Sequence, residues 1–486
     1  MTVPERPSLV WFRDDLRVGD NPALNLAVEA GAPVLAVFVL DEESPGFRAL
    51  GGARRWWLHG SLTALAGDLE RLGIPLVLRR GSALRIIPDL ASMTRAGKVT
   101  WNRRYGAAEI EVDREIKARL SSDGHEPASL NGHLMFEPWQ VKTGSGGPYR
   151  VFTPFWKAAR ALGSVRAPLS VPERIKPFSA PPRSDALADW ALLPTRPDWS
   201  GGLRETWTPG SSGAVKRLDT FIARGFAGYA EDRNRPDMPS TSMLSAHLAH
   251  GEISTVQVWH AQRHAVEAGR TRANAEDQRV FESELGWREF AYHLLHLFPR
   301  LDSQNFQPKF DAFPWRSDAS ALKAWQRGQT GYPIVDAGMR QLWTTGFMHN
   351  RVRMIVGSFL VKHLLIDWRE GEKWFWDTLV DADPASNTAS WQWVAGTGAD
   401  AAPYFRIFNP VTQGERFDPN GDYVRRYVPE LARLPADIIH APWAASPLDL
   451  SAAGISLGRT YPKPVVDHAF ARERALAALS TLKTLA

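Results

Sequence analysis

Residues 8–40, SLVWFRDDLRVGDNPALNLAVEAGAPVLAVFVL, decide the fold of the N-terminal half. The run 8–12 reads as a short buried strand. Asn21 followed by Pro22 is a helix start, because a short polar side chain caps free amides and the first helical position does not need the N–H that proline lacks. Residues 33–40 form a second, wholly apolar strand. The alternation continues outward. A helical pattern over 54–72 ends at Gly73, 75–78 is a third strand, and 83–96 is a helix. A fourth strand lies at 99–101, a charged amphipathic helix at 107–120, and a fifth short strand near Ser129 and Leu130. Strands alternating with helices of this length predict a doubly wound, parallel five-stranded sheet covered on both faces. No G-x-G-x-x-G follows a strand and no Walker A loop occurs, so the ordinary dinucleotide and P-loop readings lose their best support.

From Pro138 to Pro209 the pattern decays. Eleven prolines fall there and 144–147 is glycine-rich, which predicts a long surface connector with limited helix at 154–162. Beyond Gly213 the chain turns helical, over 214–224, 256–268, 279–297, 334–344, 351–365 and 372–379. The expected division is therefore an α/β domain over 1–136, a linker over 137–212 and an all-α domain over 213–486. No internal repeat and no low-complexity tail interrupt it.

The chain has 486 residues, with 58 Lys and Arg against 53 Asp and Glu. A net charge of +5 permits a polyanionic partner without demanding one. Hydrophobic content of 44% and charged content of 23% fit a globular chain. There is no cysteine, which excludes disulfides, thiolate metal sites and cysteine nucleophiles. No apolar run approaches the ~20 residues of a membrane span, and no signal-peptide pattern opens the chain. These features predict a cytoplasmic protein. Trp is the unusual residue: there are 20, against 9 Tyr, and nine of them lie between 287 and 393. Either they build a Trp-rich helical core, or some of them stack on bases or pass electrons.

Hydrolase signatures are missing, with no H-E-x-x-H and no G-x-S-x-G. His247 and His250, like His293 and His296, are three apart and read as helix surface or core rather than metal ligands. In FESELGWREF (281–290), Glu284 and Trp287 share a helical face, and Glu284 and Arg288 stand at i, i+4. That pattern suits a solvated ion pair beside a core Trp as well as a site. In GFMHNRVRM (346–354), Asn350, Arg353 and Met354 share a face and Arg351 adds a cation. This is either a basic helix start or a helix facing phosphates or a polar cofactor. Asp381 and Asp383 form a D-x-D without companion ligands, so no metal is expected. Asn387, Trp391 and Trp393 follow closely, more polar and aromatic specialists than a core requires.

These segments resemble the cryptochrome/DNA photolyase family. The similarity extends through TGYPIVDAGMRQLWTTGFMHNRVRM (330–354), the stretch 367–410, TSMLS (241–245) and WFRDDLRVGDNPAL (11–24), and so covers nearly the whole chain. The resemblance implies an antenna domain, a linker and a helical domain holding FAD folded into a U. By motif, Tyr229, Thr241, Ser242, Leu244 and Ser245 would hold the phosphates and ribityl chain. Asn350, Arg353, Asp381, Asp383 and Asn387 would surround the isoalloxazine and ribityl groups, with Asn387 at flavin N5 and Arg353 paired with Asp381. Phe281 and Arg288 complete the implied cofactor set; Phe281 stands where the class I pattern has Trp. Glu284, Trp287, Asn350, Met354 and Trp393 would receive the lesion, and Arg233 and Arg351 its flanking phosphates.

The same resemblance implies an electron-transfer chain of Trp391, Trp368 and Trp315, with Trp343 and Trp376 as possible branches. Met354 rather than histidine, and Asn387 rather than aspartate, look like bacterial cyclobutane pyrimidine dimer photolyases of class I or class III. Glu109 matches an antenna-contacting glutamate, but a Cys-Lys pair of the class I pattern is replaced around Leu301 and Asp302. Methenyltetrahydrofolate is the antenna implied, with a deazaflavin as the alternative. The implied activity is a lyase that uses reduced FAD and light to split dimers in ultraviolet-damaged DNA, single- or double-stranded. It would work as a monomer in a bacterial-type cytoplasm, nucleoid-associated when bound to DNA. Two rivals are a cryptochrome photoreceptor and a generic flavoprotein oxidoreductase. The first is expected to carry a C-terminal extension, whereas here a helical pattern over 472–485 ends the sequence. The second needs a nicotinamide fingerprint, which the sequence lacks.

Overall fold

In the computed structural model, which describes residues 5–401 and 405–482, β1 (Ser8–Phe12) is buried along its whole length. In α1 (Pro22–Glu29) the Asn21 side chain accepts from the Leu24 amide, and Pro22 occupies the first turn. There follow β2 (Val34–Leu40), α2 (Gly52–Arg71), β3 (Leu76–Arg80), α3 (Ala83–Thr94), β4 (Lys98–Asn102), α4 (Ala107–Ser122) and β5 (Glu126–Leu130). All strand pairs are parallel, in the order β3-β2-β1-β4-β5. Alternation splits β1 between two cores. Val10 and Phe12 join Leu24, Leu62 and Leu65 on one face. Leu9 and Trp11 join Ile87, Leu90 and Ile116 on the other. A strand buried on both faces reads as a continuous apolar run, which is the pattern of 33–40. The strand order reverses between β1 and β4, the place where a doubly wound sheet opens a crevice at its strand C-termini.

Packing divides the chain into two compact units. The first runs through Ala227 and includes Ser242–Pro299; the second comprises Gly228–Thr241 and the chain from Arg300 onward. In the first unit the proline-rich stretch carries α-helices at Phe152–Ala161 and Gly201–Thr206 and a 3-10 turn at Leu187–Trp190. Its long helix α5 (Ala275–Leu297) starts in a capping box between Asn274 and Asp277. Arg17, fully buried, donates to the carbonyls of Asp20, Gly132 and Gly251 and staples three segments together.

The second unit places α6 (Asn350–Ser358), α7 (Trp368–Thr378) and α8 (Pro384–Ala395) around a core that includes Trp325, Phe359, Trp368 and Trp391. The helix expected over 351–365 is α-helical only to Ser358 and widens into a π-helical turn at Phe359–His363. Helix α8 escapes a periodicity reading because Ala385, Asn387, Thr388, Trp391, Gln392 and Val394 are all buried, which leaves no single apolar stripe. Its ends are nevertheless signalled. Asp383 accepts from the Ser386 amide at 2.7 Å, Pro384 opens the first turn, and Gly396 closes the helix with φ of 88°. Among the described residues, no helix is long and apolar enough to cross a membrane.

Candidate active site

In the second unit the site begins at the start of α6. The His349 ring caps this helix, its Nδ1 accepting from the Arg351 amide at 3.2 Å. Burial, then Arg353, Arg351 and Arg233, lower its pKa to about 4, so the ring is neutral near pH 7. With Nδ1 an acceptor, the proton sits on Nε2, and Nε2 is buried without a hydrogen-bond partner. One helical turn on, Arg353 donates to Asp381 Oδ2 at 2.7 Å and to the Met348 carbonyl at 2.7 Å. The Asp381 side chain is almost fully buried. On α8, Asn387 Nδ2 donates to Glu372 Oε1 at 2.8 Å and to the Glu372 carbonyl at 3.2 Å. His349 and Glu372 belong to this cluster although sequence reading did not single them out. Each sat inside a quoted motif, but only the packing shows which way it faces.

Trp368 and Trp391 lie in the core of the second unit, and Trp315 packs against it. Trp391 stands edge-on to Phe375 at 4.9 Å and to Trp325 at 6.2 Å, with its Nε1 buried and unpartnered. Trp368 Nε1 donates to Asn305 Oδ1 at 2.9 Å. The Trp315 ring sits 4.4 Å from Phe313. Trp376 is buried, whereas Trp343 is exposed and stacks on Trp374 at 6.0 Å. Trp325 donates to the Val356 carbonyl at 3.1 Å and is a core residue.

A basic surface flanks these residues. Arg351 donates to Asn234 Oδ1 at 2.7 Å and lies 4.4 Å over Phe417. Arg416 lies 5.2 Å over the same ring. Arg233 lies 5.7 Å over Tyr229. Burial, then Arg233, Arg416 and Arg406, lower the Arg351 pKa. Arg406 and Arg416 thus join Arg233 and Arg351 in a cluster that sequence spacing could not reveal. Asn350 is exposed, and Met354 and Trp393 are half-buried.

In the first unit α5 carries a second set. Phe281 packs on Phe221 at 4.8 Å and Phe226 at 5.5 Å. Trp287 stacks on Phe152 at 3.9 Å, nearly parallel, and Glu284 is half-buried. Arg288 turns to His133, donating to its carbonyl at 3.0 Å and to Nε2 at 2.7 Å. Glu289 Oε2 accepts from the Met135 and Phe136 amides at 2.9 and 3.1 Å, and burial pushes its pKa up to about 7. These contacts pin α5 to the loop that follows β5. In the 241–245 segment, Met243 holds a φ of +50°, a left-handed conformation that a non-glycine residue keeps only where its surroundings enforce it. His247 pairs with Glu252 at 2.5 Å, and His293 packs against Phe155 and Phe290. The described residues contain no group of three or more His, Asp or Glu placed to hold a metal.

Near the C-terminal ends of β1 and β4 lie unsatisfied donors. Arg13 lies 4.5 Å over Trp11, and Arg104 lies 4.9 Å over Phe47. Trp11 Nε1, Arg13 Nε, and Arg104 Nε and Nη2 are buried without hydrogen-bond partners. Glu109, half-buried in the first turn of α4, has its pKa raised by burial, against the pull of Arg104.

Residues 8–175 match the DNA photolyase family, and residues 281–481 match the family described as the FAD binding domain of DNA photolyase. A deoxyribodipyrimidine photo-lyase of Agrobacterium fabrum is 54% identical over 99% of both chains. Cryptochrome-1 of Arabidopsis thaliana is 39% identical over 98% of this chain and 70% of its own length. The crystal structure of a bacterial class III photolyase from Agrobacterium tumefaciens superposes with a TM-score of 0.96 at 53% identity, covering 100% of this chain and 99% of the other. The parallel sheet, the helical half with its Arg353–Asp381 pair, and these full-length similarities lead to one conclusion: the chain belongs to the cryptochrome/DNA photolyase family.

Proposed function

We propose that this protein is a deoxyribodipyrimidine photo-lyase that repairs cyclobutane pyrimidine dimers in DNA. The observation that carries the reading is the set of polar groups on the packed helices α6, α7 and α8 of the second unit. There a neutral His349 has an unpartnered Nε2–H, Arg353 is paired with Asp381, and Asn387 is held by both its contacts to Glu372. These groups fit a flavin nucleotide. The ring edge needs fixed donors and acceptors, which the buried N–H and the clamped amide supply, and a buried N–H without an acceptor is costly. When bound, reduced FAD supplies a light-activated electron to the dimer and takes it back after the ring splits, with no net redox change.

The chain's own residues then have these roles. Tyr229, Thr241, Ser242, Leu244 and Ser245 hold the phosphates and ribityl chain. Asn350, Arg353, Asp381, Asp383 and Asn387 bind the flavin, and Phe281 adds an apolar wall. Arg288, engaged by His133, orients α5. Trp287, already stacked on one face, offers its other face to a flipped base, as does Trp393; a dimer that stacks poorly is cheap to extrude. Met354 and Asn350 line the lesion's place. Arg233, Arg351, Arg406 and Arg416 hold phosphates, contacts that position a strand without reading sequence. Trp391, Trp368 and Trp315 pass electrons that return the cofactor to its reduced form. Glu109 and the donors near the ends of β1 and β4 hold an antenna, methenyltetrahydrofolate or a deazaflavin. In this reading residues 1–136 form the antenna domain, 137–212 the linker and 213–486 the catalytic domain. The protein works as a cytoplasmic monomer, nucleoid-associated when bound to DNA.

Glu284 is proposed to hydrogen-bond the dimer as negative charge develops on it. Glu284→Ala tests this. Repair per absorbed photon is expected to fall more than dark binding, with FAD content unchanged. Full repair yield in the variant would reject the role.

A further inference from the structure

Trp368 opens α7 and is wholly buried, and one turn further on the Trp391 indole lies against Gly371 of the same helix. The two indole N–H groups differ in their surroundings. Trp391 Nε1 is buried without a hydrogen-bond partner, whereas Trp368 Nε1 donates to Asn305 Oδ1 at 2.9 Å. Asn305, only 6% exposed, donates in turn through Nδ2 to Asp311 Oδ1 at 2.7 Å. Asp311 sits in the 3-10 turn Pro308–Ala312. An indole only donates and a carboxylate only accepts, so the flip of the amide between them is fixed. The loop that carries Asn305 is itself pinned. The fully buried Gln392 donates to the carbonyls of Leu301 and Gln304 at 2.6 and 2.9 Å and accepts from the Phe306 amide at 2.8 Å.

We propose that Asn305 and Asp311 act through Trp368 to give electron flow along the tryptophans its direction: they stabilise positive charge on Trp368 over Trp391. The inference rests on the reading above that Trp391, Trp368 and Trp315 pass electrons to the flavin. Once Trp391 has given up one electron, Trp368 refills it and takes the hole. Trp315 then refills Trp368, and a thiol in solution refills Trp315. An indole radical cation carries positive charge at its N–H, so an aligned acceptor stabilises it, and a bare N–H in an apolar core has no such help. Asp311 polarises Asn305 and strengthens Oδ1 as an acceptor. The proton stays on the indole nitrogen, because a primary amide is not a base near neutral pH. Arg369 lies 4.8 Å over the Trp368 ring, where its charge opposes a hole, but it is paired with Asp367 at 2.9 Å. Asp311 is exposed, so water and salt screen its share of the effect.

The test is transient absorption of the FAD-loaded protein in a Trp315→Phe background, where the hole reaches no further than Trp368 and is shared with Trp391. Recombination then runs in proportion to the share on Trp391. Asn305→Leu, close in size and without an acceptor, is expected to shorten the charge-separated state about two- to tenfold, the equilibrium worth of one hydrogen bond. Asp311→Asn is expected to shorten it less, in the same direction. Being a surface change, it also keeps the test informative should Asn305→Leu fail to fold. A second readout needs no light. The indole N–H resonance of Trp368, identified by its loss in Trp368→Phe, is expected to move upfield in both variants. Unaltered lifetimes with a moved resonance overturn the tuning of Trp368 and leave only the hydrogen bond. An unmoved resonance in Asn305→Leu overturns the hydrogen bond and the inference with it. A shortened lifetime in Asn305→Leu with none in Asp311→Asn overturns the part given to Asp311. Photoreduction of Trp368→Phe as fast as the wild type overturns the tryptophan chain itself, on which this inference stands.

Discussion

Gly371 lies in α7 where the Trp391 indole approaches the helix most closely. A Cβ built there would stand 2.5 Å from Cζ3 and 2.6 Å from Cζ2, with Cη2 closer still. Carbon atoms in contact normally sit about 3.5–4.0 Å apart. The indole or the helix must therefore yield by about 1 Å in Gly371→Ala. Overpacking of this kind costs roughly 1–3 kcal/mol. Trp391→Phe removes the three indole atoms that collide, so the two substitutions compensate. The double variant is expected to be more stable than the sum of the single losses by about 0.5–3 kcal/mol, the range seen for residues in contact. Urea unfolding of the four FAD-loaded proteins measures this. Gly371→Ala alone is also expected to slow photoreduction of oxidised FAD, because the displaced ring is the proposed first donor. Additive stability losses with unaltered photoreduction would refute the packing argument.

Trp391→Phe by itself is expected to block photoreduction of oxidised FAD in the presence of a reductant, while repair by enzyme reduced beforehand survives; absorbance under illumination and a single-turnover repair assay separate the two. Arg351→Ala is expected to weaken binding to damaged DNA and to lower the slope of log affinity against log salt by about one, since one counterion-displacing contact is lost. Titrations between low and moderate salt check this, and an unchanged slope removes Arg351 from the phosphate contacts. Glu289 has a folded pKa of about 7 against an ordinary 4.5. The folded state therefore holds its proton more tightly, and its stabilising contribution is full below about pH 4.5 and is lost as pH rises through 7. The loss across that window is on the order of 3 kcal/mol, and Glu289→Gln is expected to flatten it in urea unfolding at pH 5 and pH 7.5. An identical pH dependence in both proteins contradicts the burial argument.

Much of the first unit was legible because local signals and global packing agree there. Asn21–Pro22 starts α1 as its chemistry requires, and the apolar run over 33–40 is a strand buried on both faces. Helix α8 was not legible, since Asn387 and Trp391 on one side and Thr388 and Gln392 on the next are all buried, and no single 3.6-residue stripe survives. The turn at Phe359–His363 continues an apolar helical pattern, and nothing in that pattern marks the change in hydrogen bonding. The site residues divide in the same way. Arg353 and Asp381 were named by motif and meet at 2.7 Å. His349 and Glu372 matter through one unpartnered nitrogen and one clamped amide, facts of three-dimensional packing. Arg406 and Arg416 join Arg351 from far along the chain, and a net charge of +5 could not indicate where cations gather.

Light-driven repair is tested with an oligonucleotide carrying a single thymine cyclobutane dimer. Protein loaded with chemically reduced FAD is mixed with it and divided between blue light and darkness. Dimer content is then followed by restored susceptibility to a restriction enzyme that spans the lesion. Loss of the dimer is expected in the light, none in the dark, with repeated turnover by each protein molecule. A protein that binds FAD and photoreduces normally but leaves the dimer intact under illumination would contradict it.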